Sequence, residues 1–203
     1  TLRMAANLDE FIRLPEGEKI PEKISELTGI TDEMLEKQGL DEDDVVCDFE
    51  TLLDDTDGPV LLAAHNAQFD LLFMQAMADR YNRSCAELLA RADYLDTLTV
   101  YKDRRAYPHK LANAIAAYKL EDKVQNSHRA IDDVAALFEV CKAMDDERAD
   151  LLEYVNIFGY NPKYGVGGPR IDGVTYWPQR FNKFMQSPSY TLPALAKGGR
   201  NNA

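Results

Sequence analysis

The chain has 203 residues, of which 45% are hydrophobic, and it carries a formal net charge of −12. This length and apolar content suffice for one globular domain with an appendage and exclude a chain that is disordered throughout. No run approaches the roughly 20 apolar residues of a membrane helix, and the N-terminus lacks a signal-peptide pattern, so we expect a cytoplasmic protein.

In the first third of the chain, EFIRL at 10–14 predicts a strand. SELTGITDEMLEKQG then predicts two short helices around Gly29, the second capped by Thr31 and ending near Gly39. VVCDFETLLDD at 45–55 has apolar residues at helical spacing and predicts a helix. We expect Asp43 or Asp44 to cap this helix, and Asp48 and Glu50 to project on its polar side.

The middle of the chain alternates strands and helices. PVLLAAHN at 59–66 predicts a buried strand, and a helix over 67–80 follows from the spacing of Phe69, Leu72, Phe73, Ala76 and Met77. ADYLDTLTVY predicts a short strand that runs into a helix capped by Asp96. Further helices are predicted over 111–118 and 127–143, the latter with Ile131, Val134, Phe138 and Cys141 on one stripe. This alternation predicts an α/β fold.

The C-terminal segment differs from the rest of the chain in amino-acid composition and charge. Residues 151–203 contain six Lys or Arg and two acidic residues, a net charge of +4, which leaves −16 on the rest of the chain. The segment is rich in Gly, Pro and Tyr, and Asp172-Gly173 suggests a hairpin turn. We therefore divide the chain into a body over 1–148 and a basic, aromatic extension over 149–203. Its aromatic and basic residues can either stack on bases or fold back over apolar surface of the body.

Three cysteines, Cys47, Cys85 and Cys141, lack metal-ligand spacing and occur in apolar or helical contexts. We expect buried free thiols.

Two groups of residues could support chemistry. In HNAQFD, His65 and Asn66 stand where a strand ends, and Asp70 stands in the first turn of the next helix, where it could face a ligand crevice or merely complement the helix dipole. In HRAIDD, His128 precedes Asp132 and Asp133. Helical geometry places Asp133 beside the apolar stripe and Asp132 on the solvated side, although this pattern also fits an ordinary acidic helix start.

Taken together, these residues favour a hard divalent cation, because oxygen ligands prefer magnesium or manganese. Two such ions can activate water and stabilise the leaving oxygen of a phosphodiester, with a histidine taking the proton of the water. The residues would therefore support phosphodiester hydrolysis.

Three segments in order, SELTGITDEML, LLAAHNAQFDLLFM and NSHRAIDDVAALF, resemble the DEDDh 3′-5′ exonucleases. That family includes the proofreading epsilon subunit of bacterial DNA polymerase III and the exonuclease domain of PolC-type polymerases. The resemblance spans about residues 10–143. It implies an RNase H-like mixed sheet flanked by helices, two Mg²⁺ or Mn²⁺ ions, and stepwise release of nucleoside monophosphates from a 3′ end.

The resemblance also implies roles for single residues. It makes His128 the general base and makes Asp70 and Asp133 metal ligands. His65, Asn66 and Phe69 fall in the HNAxFD signature of the family, where contacts to the terminal nucleotides or support of the site are expected.

The family also has an Asp-x-Glu pair on its first, central strand, before the LTGIT segment. The pair Asp48-x-Glu50 follows LTGIT and has helical spacing, so it does not match this motif. We expect residues upstream of Thr1 to supply the strand, because loss of a central strand would expose backbone groups and apolar surface. The alternative is a degenerate member that keeps the fold without catalysis.

Two functions follow as hypotheses. The first is a 3′-5′ exonuclease acting at the 3′ end of DNA or RNA, with single-stranded DNA favoured and a DNA polymerase as a candidate partner. The second is a non-catalytic nucleic-acid-binding or polymerase-associated module on the same fold.

Overall fold

The computed structural model describes residues 7–56, 58–81, 89, 92–124 and 129–179. Helices and strands alternate through these residues, which confirms the predicted α/β class. A 3₁₀ turn, Leu151–Tyr154, precedes β3. In chain order the elements are α1 Glu22–Thr28, α2 Asp32–Gln38, α3 Glu42–Asp54, β1 Leu61–Ala64, α4 Ala67–Arg80, β2 Asp93–Asp96, α5 Thr97–Arg104, α6 Leu111–Ala117, α7 Ala130–Glu147, β3 Ile157–Tyr160 and β4 Thr175–Pro178.

The two short N-terminal helices form as predicted. α1 ends at Gly29, whose φ of 70° is the left-handed conformation that favours glycine at a helix end. The hydroxyl of Thr31 accepts a hydrogen bond from the backbone N–H of Met34, which caps α2, and α2 ends at Gly39.

The predicted strand at 10–14 is reduced to one bridge, between Ile12 and Leu40. The N–H of Arg13 donates to the carbonyl of Leu40, and the N–H of Leu40 donates to the carbonyl of Phe11, both at 2.8 Å. The prediction of a strand was wrong because Leu40 stands between the end of α2 and the start of α3, so the extended partner is too short for a ladder.

The segment VVCDFETLLDD is helical, as its periodicity predicts. The cap is not Asp43 or Asp44: α3 begins at Glu42, and Asp41 is the N-cap residue, so both predicted caps lie inside the first turn. Strand-like presentation of an Asp-x-Glu pair is therefore excluded here.

The two carboxylates of that pair differ in exposure. Asp48 is exposed, as predicted, whereas Glu50 is half-buried and its Oε1 atom is buried. Glu50 follows the fully buried Val46 by one helical turn, so the two side chains share a face of α3. The expectation that Glu50 is solvated was wrong for this reason.

The strands form two parallel pairs. β1 pairs with β2, in a register from Leu61 opposite Asp93 to Ala64 opposite Asp96. β3 pairs in parallel with β4. The N–H of Asn156, just before β3, donates to the carbonyl of Tyr94 at 2.7 Å, which ties the second pair to the first.

β1 is less buried than its apolar sequence predicts. Leu61 is 40% exposed, because among the described residues β1 has a hydrogen-bonded neighbour only on its β2 side. The other edge of β1 is therefore open within the described part of the chain.

The predicted hairpin at Asp172-Gly173 was wrong. These two residues form a turn, but β4 follows it and pairs in parallel with β3 rather than with the segment just before the turn. That preceding segment contains Gly167, Gly168 and Pro169, and proline has no N–H to donate to a ladder.

Buried side chains form two clusters that include the extension. Val100, Val140 and Met144 pack with Tyr154 and Ile157, and Leu71 and Tyr94 pack with Phe158 and Ile171. The described part of the extension thus covers apolar surface of the body, which is one of the two interpretations of its sequence.

The buried face of α7 is not the predicted stripe. Val134 is 57% exposed and Phe138 is 38% exposed, whereas Ala136, Leu137, Val140 and Met144 are buried. α7 has apolar residues on more than one face, and its packing on α6 and the 3₁₀ turn decides which face is buried. Residues 125–128, the start of the predicted helix, lie outside the described residues.

Cys47 and Cys141 are free and half-buried rather than fully buried, and Cys85 lies outside the described residues. None of the helices described is both long and apolar enough to cross a membrane.

Candidate active site

The first turn of α4 presents Asp70 at the carboxyl end of β1. The chain leaves β1 at Ala64, and α4 begins at Ala67. Asn66 makes the turn with φ 80°, a left-handed conformation that asparagine tolerates better than most residues. Asp70 is therefore placed by a two-residue connection, which leaves its position little freedom.

Asp96, at the end of the neighbouring strand, fixes this turn. Its Oδ1 atom accepts hydrogen bonds from the backbone N–H groups of Asn66 at 2.9 Å, Ala67 at 3.3 Å and Leu98 at 3.1 Å. Its Oδ2 atom accepts from the N–H and the hydroxyl of Thr99, at 3.2 and 2.6 Å. One carboxylate thus holds the starts of both α4 and α5.

The sequence predicted only the local cap of Asp96 on α5. The second cap, on α4, arises because Asp96 stands opposite Ala64 in the parallel register, beside the chain that enters α4. Knowledge of this strand register would have revealed that Asp96 also caps α4.

His65 is held by two protein groups. Its Nδ1 lies 3.0 Å from the hydroxyl of Thr97, and its Nε2 lies 2.9 Å from the carbonyl oxygen of His109. A carbonyl oxygen only accepts, so Nε2 carries the hydrogen. In the neutral ring Nδ1 is then an acceptor, and it shares the single hydroxyl hydrogen of Thr97 with the carbonyl oxygen of Ala64, 3.2 Å from that hydroxyl. Burial lowers the pKa of His65, which favours this neutral tautomer.

A cleft of about 770 Å³ contains the two carboxylates that the sequence singled out. Asp70 reaches it from α4 and Asp133 reaches it from α7, and we call it the carboxylate cleft. Its other walls are made by α3, β1 and the start of α6. The lining residues are Phe49, Leu62, Ala63, Ala64, His65, Ala67, Asp70, Leu71, Met74, Lys110, Leu111, Ala112, Ala130, Asp133, Val134 and Leu137.

Asp133 lies on the inner side of α7. It precedes Leu137 by one turn and Val140 by two, and both of these side chains are buried. Asp133 itself is half-buried. Asp132, which we expected to be solvated, is half-buried as well.

The environment of Asp70 disfavours an isolated negative charge. Burial raises the pKa of Asp70, and the negative charge of Asp96 acts in the same direction, against a backbone hydrogen bond that lowers it. A bound cation would relieve this cost.

Asp70 and Asp133 therefore fit part of the oxygen-rich set that magnesium and manganese prefer. Within the described residues no group of three His, Cys, Asp or Glu side chains could hold a metal ion.

The open edge of β1 borders the same cleft. Leu62, Ala63 and Ala64 are all lining residues, and their backbone on this side has no partner strand among the residues described. The cleft therefore places a free strand edge beside two carboxylates.

The remaining predicted site residues are distributed differently. His128 lies outside the described residues. Asn66 and Phe69 line a second cleft, of about 790 Å³, on the other side of the first turn of α4. We call this second cleft the aromatic cleft.

Comparison with known proteins gives a family match and three related polymerases. Residues 4–141 match the exonuclease family (RNase_T). The chain is 30% identical over 168 residues, 81% of its length, to a "DNA polymerase III PolC-type" of Latilactobacillus sakei. It is 35% identical over 124 residues, 60% of its length, to the protein of that name in Mycoplasma genitalium, and 30% identical over 149 residues, 71% of its length, to that of Clostridium perfringens.

The aligned regions cover only 11%, 8% and 9% of those three polymerases, so the chain spans about a tenth of the curated relatives it matches.

Proposed function

This chain belongs to the exonuclease family, as a DEDD-type member that resembles the PolC exonuclease, and on that premise we propose that it is a 3′-5′ exonuclease. It hydrolyses phosphodiester bonds at the 3′ end of a nucleic acid and releases nucleoside monophosphates. The observation that carries the proposal is the meeting of Asp70 and Asp133 in one cleft, although they come from different helices.

In this proposal Asp70 and Asp133 hold divalent cations, Mg²⁺ or Mn²⁺, as two of the ligands. Two bound ions would supply Lewis-acid stabilisation of the attacking and leaving oxygens. His128 takes the proton of the attacking water as general base. His65 stabilises the structure of the site, since both of its ring nitrogens lie within hydrogen-bond distance of protein groups.

The remaining metal ligands come from an Asp-x-Glu pair on a strand that pairs with the open edge of β1. Support comes from the position of that edge, which borders the carboxylate cleft. Asp48 and Glu50 are not this pair of metal ligands, since they are two positions apart on α3 and face different directions. The strand would place its carboxylates beside Asp70 and Asp133.

We further propose single-stranded DNA as the preferred substrate, a DNA polymerase as partner and the cytoplasm as location. The names of the three relatives, all PolC-type DNA polymerases, support DNA and a polymerase.

Two labelled oligonucleotides test the polarity. With Mg²⁺ or Mn²⁺, the protein should release a labelled mononucleotide at once from a 3′-labelled strand and shorten a 5′-labelled strand stepwise. Immediate release of a labelled mononucleotide from the 5′ end would reverse the assignment.

Metal dependence is tested with the same substrates. EDTA and Asp133→Ala should each abolish release, whereas Asp48→Ala, which removes an exposed carboxylate that does not line the cleft, should not. Hydrolysis that survives EDTA or Asp133→Ala would overturn the two-metal proposal. Binding of DNA without any hydrolysis would favour the non-catalytic module.

A further inference from the structure

The aromatic cleft lies where parallel α/β sheets commonly bind ligands. Asn66 follows β1, Asp96 ends β2 and Tyr160 ends β3, and all three line the cleft. The carboxyl ends of β1, β2 and β3 thus open into one crevice, which the body and the extension enclose together.

Four aromatic rings in this cleft are more than half exposed. Phe69 is 58% exposed, Phe73 64%, Tyr107 67% and Tyr164 75%. They come from three separate segments, namely α4, the connection between α5 and α6, and the extension. Phe69 and Phe73 contact each other, with ring centroids 4.8 Å apart and an angle of 46° between the ring planes. Clustered exposed rings are typical of a surface that binds a partner, and rings of this kind stack on nucleic-acid bases.

Charge in the cleft is opposite to that of the chain. Lys102 and Lys110 line it. Among the described residues its one acidic lining residue is Asp96, whose two oxygens accept five hydrogen bonds. The ammonium of Lys163, which is not a lining residue, lies 5.1 Å from the centroid of the Tyr164 ring. In a chain of net charge −12, this basic and aromatic crevice is suited to a ligand that carries several negative charges and flat rings, because lysines attract phosphates and aromatic side chains stack on bases.

The wall contributed by the extension is held firmly against α4. The side-chain amide of Gln68 donates to the carbonyl of Pro169 at 2.6 Å, and the hydroxyl of Tyr176 donates to Oε1 of Gln68 at 2.5 Å. The same hydroxyl accepts from the N–H of Ile171 at 2.9 Å. The cleft is therefore pre-formed, because its two sides are joined by hydrogen bonds.

The aromatic and carboxylate clefts are neighbours. Lys110 lines both of them. Phe69 faces the aromatic cleft and Asp70, the next residue, faces the carboxylate cleft, so only the first turn of α4 separates them. A single strand of nucleic acid whose end lies at Asp70 could continue past Lys110 into the aromatic cleft.

We propose that the aromatic cleft binds single-stranded DNA, namely the unpaired nucleotides that precede the 3′-terminal nucleotide in the carboxylate cleft. Bases stack on Phe69, Tyr107 and Tyr164, and phosphates lie near Lys102 and Lys110. The identity of the 3′ end as the reacting end rests on the proposed function, but the binding itself does not. The extension is thereby part of the substrate site. It determines how many unpaired nucleotides the protein binds.

The test measures binding in EDTA, so that hydrolysis plays no part. Fluorescein-labelled dT12 is titrated by fluorescence anisotropy with the wild-type protein, with Tyr107→Ala/Tyr164→Ala, and with Leu152→Ala. Binding of the mononucleotide dTMP to the same three proteins is measured by calorimetry. Leu152 is 69% exposed and lines neither cleft, so it is a matched control for loss of an exposed apolar side chain. Thermal melts establish that each variant folds.

We expect the double variant to bind dT12 at least about 25-fold more weakly, since each of the two stacked bases contributes about fivefold or more. Binding of dTMP and the affinity of Leu152→Ala should not change. An unchanged dT12 affinity in a folded double variant would overturn the proposal, as would failure of the wild-type protein to bind dT12. Equal losses for dT12 and dTMP would also overturn it, because they would place the rings at the terminal nucleotide.

The two proposals fail separately. If the wild-type protein binds dT12 through these tyrosines but digests no oligonucleotide, the exonuclease proposal is wrong and the proposal that the aromatic cleft binds DNA is supported. If the double variant binds and digests dT12 as the wild type does, the proposal that the aromatic cleft binds DNA is wrong and the exonuclease proposal is supported.

Discussion

The buried carboxylate of Asp96 accepts the backbone N–H of Asn66 at 2.9 Å, which ties the end of β2 to the turn that places Asp70. Asp96 holds no metal in the proposed mechanism, and although it lines the aromatic cleft, its two oxygens accept hydrogen bonds from the protein. It is a positioning residue, because the start of α4 separates the two clefts and its geometry depends on this bond.

Asp96→Asn should lower the free energy of unfolding by about 2–4 kcal/mol. The substitution replaces one of the two oxygens that together accept five hydrogen bonds with an amide NH₂, so the groups that donate to that oxygen face a donor, and the oxygen that remains carries no charge. Urea denaturation measures the change. Asp48→Asn, on the exposed side of α3, should stay within about 0.5 kcal/mol of the wild type. Equal stability of Asp96→Asn and the wild type would contradict the double-cap role.

Asp70→Asn should stabilise the metal-free protein slightly and remove its response to metal. Because the folded pKa of Asp70 is raised above 3.8, the folded state binds more protons, and stability is lost as pH rises from 3.8 through the folded pKa. At pH 7 the charge therefore carries a cost that asparagine avoids. The gain should be only about 1–2 °C in melting temperature. Neighbouring protein groups desolvate the carboxylate in part, but the residue as a whole is exposed, and solvent screens the effect.

The same melts with added Mn²⁺ test ligation. Wild-type protein should gain stability with Mn²⁺ and Asp70→Asn should gain much less, with Asp48→Asn behaving as wild type. A full Mn²⁺ response in Asp70→Asn would remove Asp70 from the proposed ligand set.

His65 should make the fold sensitive to mild acid. Burial lowers the folded pKa of His65 below 6.5, so the unfolded state binds more protons, and stability rises with pH between the folded pKa and 6.5. Below 6.5 the fold loses this stability, and burial of His109 acts with the same sign.

Urea midpoints at about pH 5 and pH 7.5 measure this dependence. The difference should be smaller in His65→Gln than in the wild type and smaller still when His109 is also replaced. A pH dependence that is the same in all three proteins would show that these histidines do not titrate on unfolding.

Gly168→Ala should loosen the extension, whereas Gly167→Ala should not. Gly168 has φ +102°, where an L-residue is strained, and a Cβ there would lie 2.9 Å from Cδ1 of Leu72 on α4. A Cβ at Gly167 would meet nothing within 4 Å. We expect a loss of about 1–3 kcal/mol for Gly168→Ala, measured by urea denaturation, and nearly none for Gly167→Ala. Similar effects at both positions would argue against the close contact.

Several elements could be predicted because their signals are local. The helix over 67–80 was predicted with its observed bounds, and Thr31, Gly39 and Asp96 act as the predicted helix ends. A cap or a helical repeat depends on residues within a few positions, and those are visible in the sequence.

Burial could not be predicted in the same way. The stripe that predicted α4 contains Phe69 and Phe73, which are exposed in the aromatic cleft, while Leu71 and Ala78 are buried. The helical repeat reveals that a face is apolar, but which apolar face meets the core depends on neighbours far away in the chain.

The sequence by itself determined the α/β alternation, the helix ends and the resemblance that singled out Asp70, Asp133 and His128. Only the tertiary structure decided that Asp70 and Asp133 share a cleft, that Asp96 caps two helices, and that the extension walls a second cleft. These relationships join residues that are distant in the chain, and they exist only once β1 and β2 pair in register and the extension packs on α4. Local periodicity carries no information about such contacts, because it is the same whichever partner covers a face.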